Sequence, residues 1–127
     1  MGSVDNEEML SKNFKRSEFK CQCGCGANDI SLDLVQRLQE VRDALGQMMV
    51  ISSGVRCKKH NEAVGGSEHS SHIEGNATAV DIACPNSVYR EKLLTAIMPV
   101  FDRVGIAKTF IHCDVDANKT AGVVWLY

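Results

Sequence analysis

The sequence contains no apolar run that approaches the roughly 20 residues a membrane-spanning helix needs, so no membrane span is expected. It also lacks a strong net charge. The formal value of −2 at pH 7 argues against a nucleic-acid binder that relies on bulk electrostatics. Aromatic residues make up 6% of the chain, which leaves few rings for stacking on carbohydrate. The polar, acidic start at residues 1–13 does not match a secretory signal, so synthesis in the cytoplasm is expected.

The chain also lacks internal repeats, low-complexity tracts and linkers, so no domain boundary is indicated. Its 127 residues, 44% of them hydrophobic and 24% charged, fit one globular domain with one core. We therefore predict a single domain over residues 1–127, with residues 1–13 loosely held. A monomer is expected.

Hydrophobic periodicity predicts helices and short strands. One helix should span residues 31–45 and stop at Gly46. A second should begin at a Ser87 cap and run to residue 98, before Pro99. The predicted strands are residues 48–52, 79–83, 103–107, 109–115 and 121–127, and Trp125 in the last is expected to pack in the core or at the sheet edge. Because short loops favour antiparallel pairing, we predict an α+β fold: a small antiparallel sheet with helices on one face.

Residues 53–75 form an unusually long polar segment, predicted as loop with one helical turn near residues 60–64. Loops of this length in a compact domain are usually functional or disordered. Three of the four histidines lie in this segment, namely His60, His69 and His72. The segment is therefore a candidate for a functional site.

The fourth histidine lies in the predicted strand of residues 109–115. Because side chains alternate along a strand, Phe110, His112 and Asp114 share one face and the apolar residues share the other. His112 and Asp114 should therefore point away from the core together. The alternative for His112 alone is a structural histidine with satisfied hydrogen bonds.

Asp81 interrupts the apolar run of residues 79–83, where a carboxylate must pair, accept hydrogen bonds or bind a metal. With His72 and His112 it makes a set of two imidazoles and one carboxylate. Such a set leaves a fourth position open, which is typical of catalytic zinc. A salt bridge or a capping role for Asp81 is the alternative.

Six cysteines are present, and three of them crowd into a short segment at Cys21, Cys23 and Cys25. Without a secretory signal, a disulfide framework is not the default. The spacing also lacks the Cys-x₂-Cys pair of common zinc sites. Small thiols in a glycine-rich turn, a second metal site and a local disulfide all remain open.

Six segments carry a family resemblance: residues 13–21 (NFKRSEFKC), 53–56 (SGVR), 60–66 (HNEAVGG), 71–75 (SHIEG), 79–83 (AVDIA) and 110–115 (FIHCDV). In this order they resemble the M15 family of zinc D-Ala-D-Ala carboxypeptidases and peptidoglycan endopeptidases, especially the small single-domain members of bacteriophage and bacteria. The resemblance spans about residues 13–127. It implies the fold that these DD-peptidases share with the hedgehog signalling domain.

The resemblance also implies a mechanism and its residues. His72, Asp81 and His112 match the zinc ligands, and Arg56 matches the arginine that binds substrate or stabilises the oxyanion. The implied cofactor is Zn²⁺. The implied substrate is an amide bond in a peptidoglycan stem peptide, so the protein would act on the cell wall if released.

The sequence departs from the family pattern at two points. Eight residues separate His72 from Asp81, where the family usually has six, and Thr109 stands where several relatives carry an acidic general base. Asp114 is our preferred candidate for that base, and the alternatives are three loop residues: Glu68, Glu74 and His69. A His-x-Asp pair can also orient an imidazole instead.

Two non-enzymatic interpretations therefore stay open. One is a catalytically inactive zinc-binding module, and the other is a phage structural or binding domain that keeps the fold as a scaffold. Zinc content without hydrolysis would favour the module, and absence of any metal would favour the scaffold.

Overall fold

The longest helix, α1, spans Leu32–Leu45 in the computed structural model, which describes residues 5–127. The Ser31 side chain caps it by accepting a hydrogen bond from the Leu34 N–H at 3.2 Å. Gly46 ends the helix in the left-handed conformation, with φ 70°. This confirms the helix that periodicity predicts. Its buried face consists of Leu34, Val35, Leu38 and Val41.

The other helices are shorter. A 3₁₀ turn covers Arg16–Phe19, α2 covers Lys58–Ala63 and α3 covers Ser87–Ile97. The prediction that Ser87 caps α3 is wrong by one residue. The Asn86 side chain accepts the hydrogen bond from the Tyr89 N–H at 2.8 Å, and Ser87 is the first helical residue.

The sheet has five strands in the order β1-β2-β4-β3-β5. They are β1 at Ile51–Ser53, β2 at Ala79–Ala83, β3 at Arg103–Ile106, β4 at Phe110–Asp114 and β5 at Val123–Leu126. With the helices, this sheet confirms the α+β class.

The prediction of an antiparallel sheet holds for three of its pairings and is wrong for the fourth, because β5 lies parallel to β3. The reason is that β4 already pairs with β2 on one side and with β3 on the other. It therefore cannot form a hairpin with β5. Residues 115–122 carry the chain to the free edge of β3, where β5 runs in the same direction as β3.

The two faces of the sheet differ in chemistry. In the β2–β4 register, Val80 lies opposite Cys113 and Ile82 opposite Ile111 on the face that joins the buried core. The helices α1 and α3 contribute to this same core. On the other face Asp81 lies opposite His112. The helices α1 and α3 therefore lie on one side of the sheet, and Asp81 and His112 lie on the other.

The start of the described chain contacts α1. The Ser11 hydroxyl donates a hydrogen bond to Gln39 Oε1 at 2.7 Å, and the Asn13 N–H donates to the same oxygen at 2.9 Å. These residues belong to the segment that we expected to be loosely held, and residues 1–4 of that segment lie outside the described residues. Between residues 5 and 127, no helix is long and apolar enough to cross a membrane.

The capping residue of α3 can be tested directly. We expect Asn86→Ala to lower the free energy of unfolding by about 1 kcal/mol, because the Tyr89 N–H loses its acceptor. Ser87→Ala is the matched control, since the exposed Ser87 accepts a hydrogen bond from the Arg90 side chain and does not cap the helix. Urea denaturation followed by circular dichroism measures both. A larger loss from Ser87→Ala would contradict the assignment.

Candidate metal centre

Three buried side chains converge where β2 and β4 pair. Asp81 and His112 are cross-strand partners, and His112 Nδ1 lies 3.0 Å from Asp81 Oδ1. His72 comes from the polar segment after α2, and its Nε2 lies 3.3 Å from the same oxygen. One carboxylate oxygen therefore lies between two imidazoles.

The outer nitrogen of each imidazole has a fixed partner. His72 Nδ1 lies 2.8 Å from the backbone oxygen of Gly54, which can only accept. His112 Nε2 lies 2.7 Å from Asp114 Oδ2. A neutral imidazole that donates through its outer nitrogen turns a lone pair inward. The inward atoms of His72 and His112 and an oxygen of Asp81 lie within 4.8 Å of one another, so the three residues could hold a metal ion.

Hydrogen bonds keep the two carboxyl groups at this point ionised. Burial opposes ionisation of Asp81, but hydrogen bonds with His112 and His72 outweigh it and lower its pKa to about 2. The pKa of Asp114 is lowered as well, because hydrogen bonds with His112, the Asp116 N–H and Arg103 outweigh the effect of its burial. Two ionised carboxylates therefore flank His112.

Arg56 lies beside the same carboxylate. Its Nη2 is 3.6 Å from Asp81 Oδ2, while its Nη1 donates to Asn61 Oδ1 at 3.0 Å and its Nε donates to Ser53 Oγ at 3.3 Å. The Arg56 N–H also donates to the His72 carbonyl oxygen at 2.7 Å, which ties the two segments together. The guanidinium is thus held in place at the candidate site.

The eight-residue interval between His72 and Asp81 does not keep them apart. Gly75 and Asn76 adopt left-handed conformations, with φ 95° and 66°, and these make a tight turn. After it, the Thr78 N–H donates to the Ser71 carbonyl oxygen at 2.9 Å, which brings the chain back beside His72. The interval is therefore accommodated in a turn outside the ligand cluster.

A cavity of about 460 Å³ opens on the three candidate ligands. Besides His72, Asp81 and His112, its lining residues include Arg56, Arg103, Asp114 and Lys119, with an aromatic wall of Phe110, Trp125 and Tyr127. An open cavity of this kind leaves the candidate metal position accessible from solvent.

The aromatic wall depends on a glycine. Gly105 lies between His112 and Trp125 in the strand register, and a Cβ there would approach the indole ring to 2.7 Å. Because Gly105 has no Cβ, the Trp125 ring can approach His112, with ring centroids 5.4 Å apart. The prediction that Trp125 lies at the sheet edge is confirmed, since β5 is an edge strand, but it missed the place of Trp125 in the cavity. Gly105 inside a predicted strand was the available signal, since such a glycine often marks close approach.

The sequence profile of the family described as Peptidase M15 matches residues 12–114, which is the greater part of the chain.

The chain belongs to the M15 peptidase family.

Membership of the M15 family implies a metallopeptidase, and His72, Asp81 and His112 are its possible metal site. The match ends at residue 114, so Trp125 of β5 lies outside it. No curated protein and no solved structure matches the chain.

Of the four candidate general bases, three lie outside the cavity and one, Asp114, lines it. Glu68 and His69 are exposed and do not line the cavity, and Glu74 instead accepts a hydrogen bond from the Lys58 N–H at 3.3 Å. Among the described residues that line the cavity, the carboxylates are those of Asp81 and Asp114.

Both oxygens of Asp114 are engaged. Oδ2 contacts His112, while Oδ1 accepts from Arg103 Nε at 2.8 Å and from the Asp116 N–H at 3.1 Å. These contacts favour the interpretation that Asp114 orients His112. Its action as a general base stays a prediction.

We expect Asp114→Asn to weaken binding of Zn²⁺ by about 10- to 100-fold, because His112 loses the anionic partner that fixes its orientation. Competition titration with a chromophoric chelator measures the affinity. Asp102→Asn is the matched control, since Asp102 is exposed and does not line the cavity. Unchanged affinity in Asp114→Asn would contradict the orienting role.

Proposed function

We propose that this chain is a zinc-dependent peptidase that cleaves an amide bond in peptidoglycan stem peptides, in cell-wall lysis or remodelling. It would act as a D-Ala-D-Ala carboxypeptidase or as an endopeptidase. The observation that carries the proposal is the convergence of His72, Asp81 and His112 on one point beside an open cavity. Family membership supports the class of reaction, and the motif resemblance supports the substrate.

The donor set suits zinc. Two imidazole nitrogens and one carboxylate oxygen are ligands that Zn²⁺ prefers, and three protein ligands leave a position for water or substrate. When bound, zinc acts as a Lewis acid that acidifies water and polarises the carbonyl group to be attacked. Gly54 and Asp114 keep the two imidazoles in the tautomer and orientation that binding requires.

Arg56 would bind the substrate. Its guanidinium is always charged, and Ser53 and Asn61 hold two of its nitrogens, so its direction is set before substrate arrives. It can pair with a carboxylate of the stem peptide or with the carbonyl oxygen as negative charge develops there. Because donors arranged in advance need no reorganisation during the reaction, this geometry supports a role in turnover.

An inactive zinc-binding module is the second candidate. It is favoured by the contacts of Asp114, since both of its oxygens are engaged and Thr109 supplies no carboxylate. Incubation of the zinc-loaded protein with purified peptidoglycan, followed by mass spectrometry of the released fragments, separates the two candidates. Zinc binding without any cleaved stem peptide would support the module and overturn the peptidase.

We expect His112→Ala to remove zinc from this centre and abolish cleavage while the helices stay folded, because the core lies on the other face of the sheet. Zinc affinity at the centre, circular dichroism and fragment release are measured on the same preparation. Full affinity for zinc at the centre in this variant would refute the ligand assignment.

We expect Arg56→Ala to keep the zinc and lower kcat by about 10²- to 10³-fold, as removal of an oxyanion donor does elsewhere. Arg90→Ala is the matched control. Arg90 lies on α3, donates to the Lys108 carbonyl oxygen and does not line the cavity. Wild-type turnover in Arg56→Ala would exclude the proposed role.

A further inference from the structure

Four cysteines form a second cluster that the candidate peptidase centre does not use. Cys21, Cys23 and Cys25 come from the loop before α1, and Cys57 comes from the N-terminus of α2. Their sulfur atoms all lie within 4.8 Å of one another. The separation is 3.4 Å between the sulfurs of Cys21 and Cys23 and 3.6 Å between those of Cys23 and Cys57.

Glycines bring the three neighbouring cysteines together. In an extended strand, alternate side chains would stand roughly 6–7 Å apart. Gly24 and Gly26 instead adopt left-handed conformations, with φ 86° and 92°, and these fold the segment back on itself. The backbone is therefore shaped to direct the three sulfurs to one place.

The spacing of the sulfurs fits a single tetrahedral ion. A Zn–S distance of about 2.3 Å places the ligand sulfurs of a tetrahedral site about 3.8 Å apart. The two short separations of 3.4 and 3.6 Å are close to this value. An iron–sulfur cluster would need its cysteine sulfurs farther apart.

The hydrogen bonds around the sulfurs favour thiolates. The Cys57 N–H donates to Cys21 Sγ at 3.4 Å, the His60 N–H to Cys57 Sγ at 3.3 Å and the Ala27 N–H to Cys25 Sγ at 3.4 Å. Backbone donors of this kind stabilise the negative charge of metal-bound sulfur.

Without a cation, the neighbouring thiols oppose ionisation of Cys23. The pKa of Cys23 is raised to about 12, first through its hydrogen bond with Cys21 and then through that with Cys25. A divalent ion would offset this effect and release the thiol protons on binding.

We propose that Cys21, Cys23, Cys25 and Cys57 bind one thiophilic divalent ion, with Zn²⁺ as the expected species, in a closed structural site. Four thiolates fill the coordination sphere and leave no position for a reacting water. The site is thus chemically distinct from the open set of His72, Asp81 and His112.

The position of the site indicates its role. Cys57 directly follows Arg56 and caps α2 by accepting from the His60 N–H. A metal at this point would fasten the loop that carries Arg56 to residues 21–25. The Val55 N–H, which donates to the Phe19 carbonyl oxygen at 2.8 Å, reinforces the same junction. The ion would therefore hold the arginine loop in position without taking part in the reaction.

Zinc content in variants of the full chain tests the proposal. Protein purified under reducing conditions is analysed by elemental mass spectrometry after dialysis. We expect two zinc ions per wild-type chain, one in Cys23→Ser/Cys25→Ser and one in His72→Ala/His112→Ala. Cys84→Ala is the control and should keep two zinc ions, since Cys84 lies outside the cluster. Unchanged zinc content in the cysteine variant would overturn the proposal.

The same variants test the cysteine site independently of the proposed peptidase centre. If the cysteine site alone binds zinc, the wild type holds one ion, the histidine variant keeps it and the cysteine variant loses it. Cobalt-substituted wild-type protein gives a readout that needs no cysteine variant. We expect a thiolate-to-cobalt charge-transfer band that persists in His72→Ala/His112→Ala. Absence of this band, or a disulfide within the cluster in the intact mass of unreduced protein, would overturn the site.

Discussion

The structure depends on the antiparallel pairing of β2 with β4 in the register that sets Asp81 opposite His112. In this register the neighbouring pairs are apolar and face α1 and α3, while the carboxylate and the imidazole face the cavity. A slip of one residue would bury Asp81 in the core and expose its apolar neighbours. Core packing and the hydrogen bond between Asp81 and His112 therefore stabilise the same alignment.

Around this pair, each buried charged side chain contacts a partner that can carry the opposite charge. Asp81 lies between two imidazoles, Asp114 lies between His112 and Arg103, and the Arg103 guanidinium packs 5.0 Å from the centre of the Trp125 ring. Buried ionic groups persist when each has such partners. These contacts fix the orientation of the side chains whose nitrogens and oxygen, from His72, His112 and Asp81, lie within 4.8 Å of one another.

Arg56 connects the two clusters of potential ligands. Its side chain lies beside Asp81, and the next residue in the chain, Cys57, belongs to the sulfur cluster. The two donor sets differ in the way that open and closed zinc sites differ: nitrogen and oxygen ligands face a cavity, while four sulfurs surround a point. The loop of Arg56 and Cys57 would then serve both the proposed peptidase centre and the proposed structural zinc site.

Sequence alone determined the features that depend on local patterns. Periodicity placed α1, β2 and β4, alternation put Phe110, His112 and Asp114 on one face, and ordered motifs indicated the M15 family. Only the tertiary structure decided the parallel addition of β5, the aromatic wall around Trp125, the contacts of Asp114 with Arg103 and the meeting of Cys57 with residues 21–25. The physical reason is range: side-chain alternation is set by neighbouring residues, whereas strand order and loop packing arise from contacts between distant segments that no local pattern encodes.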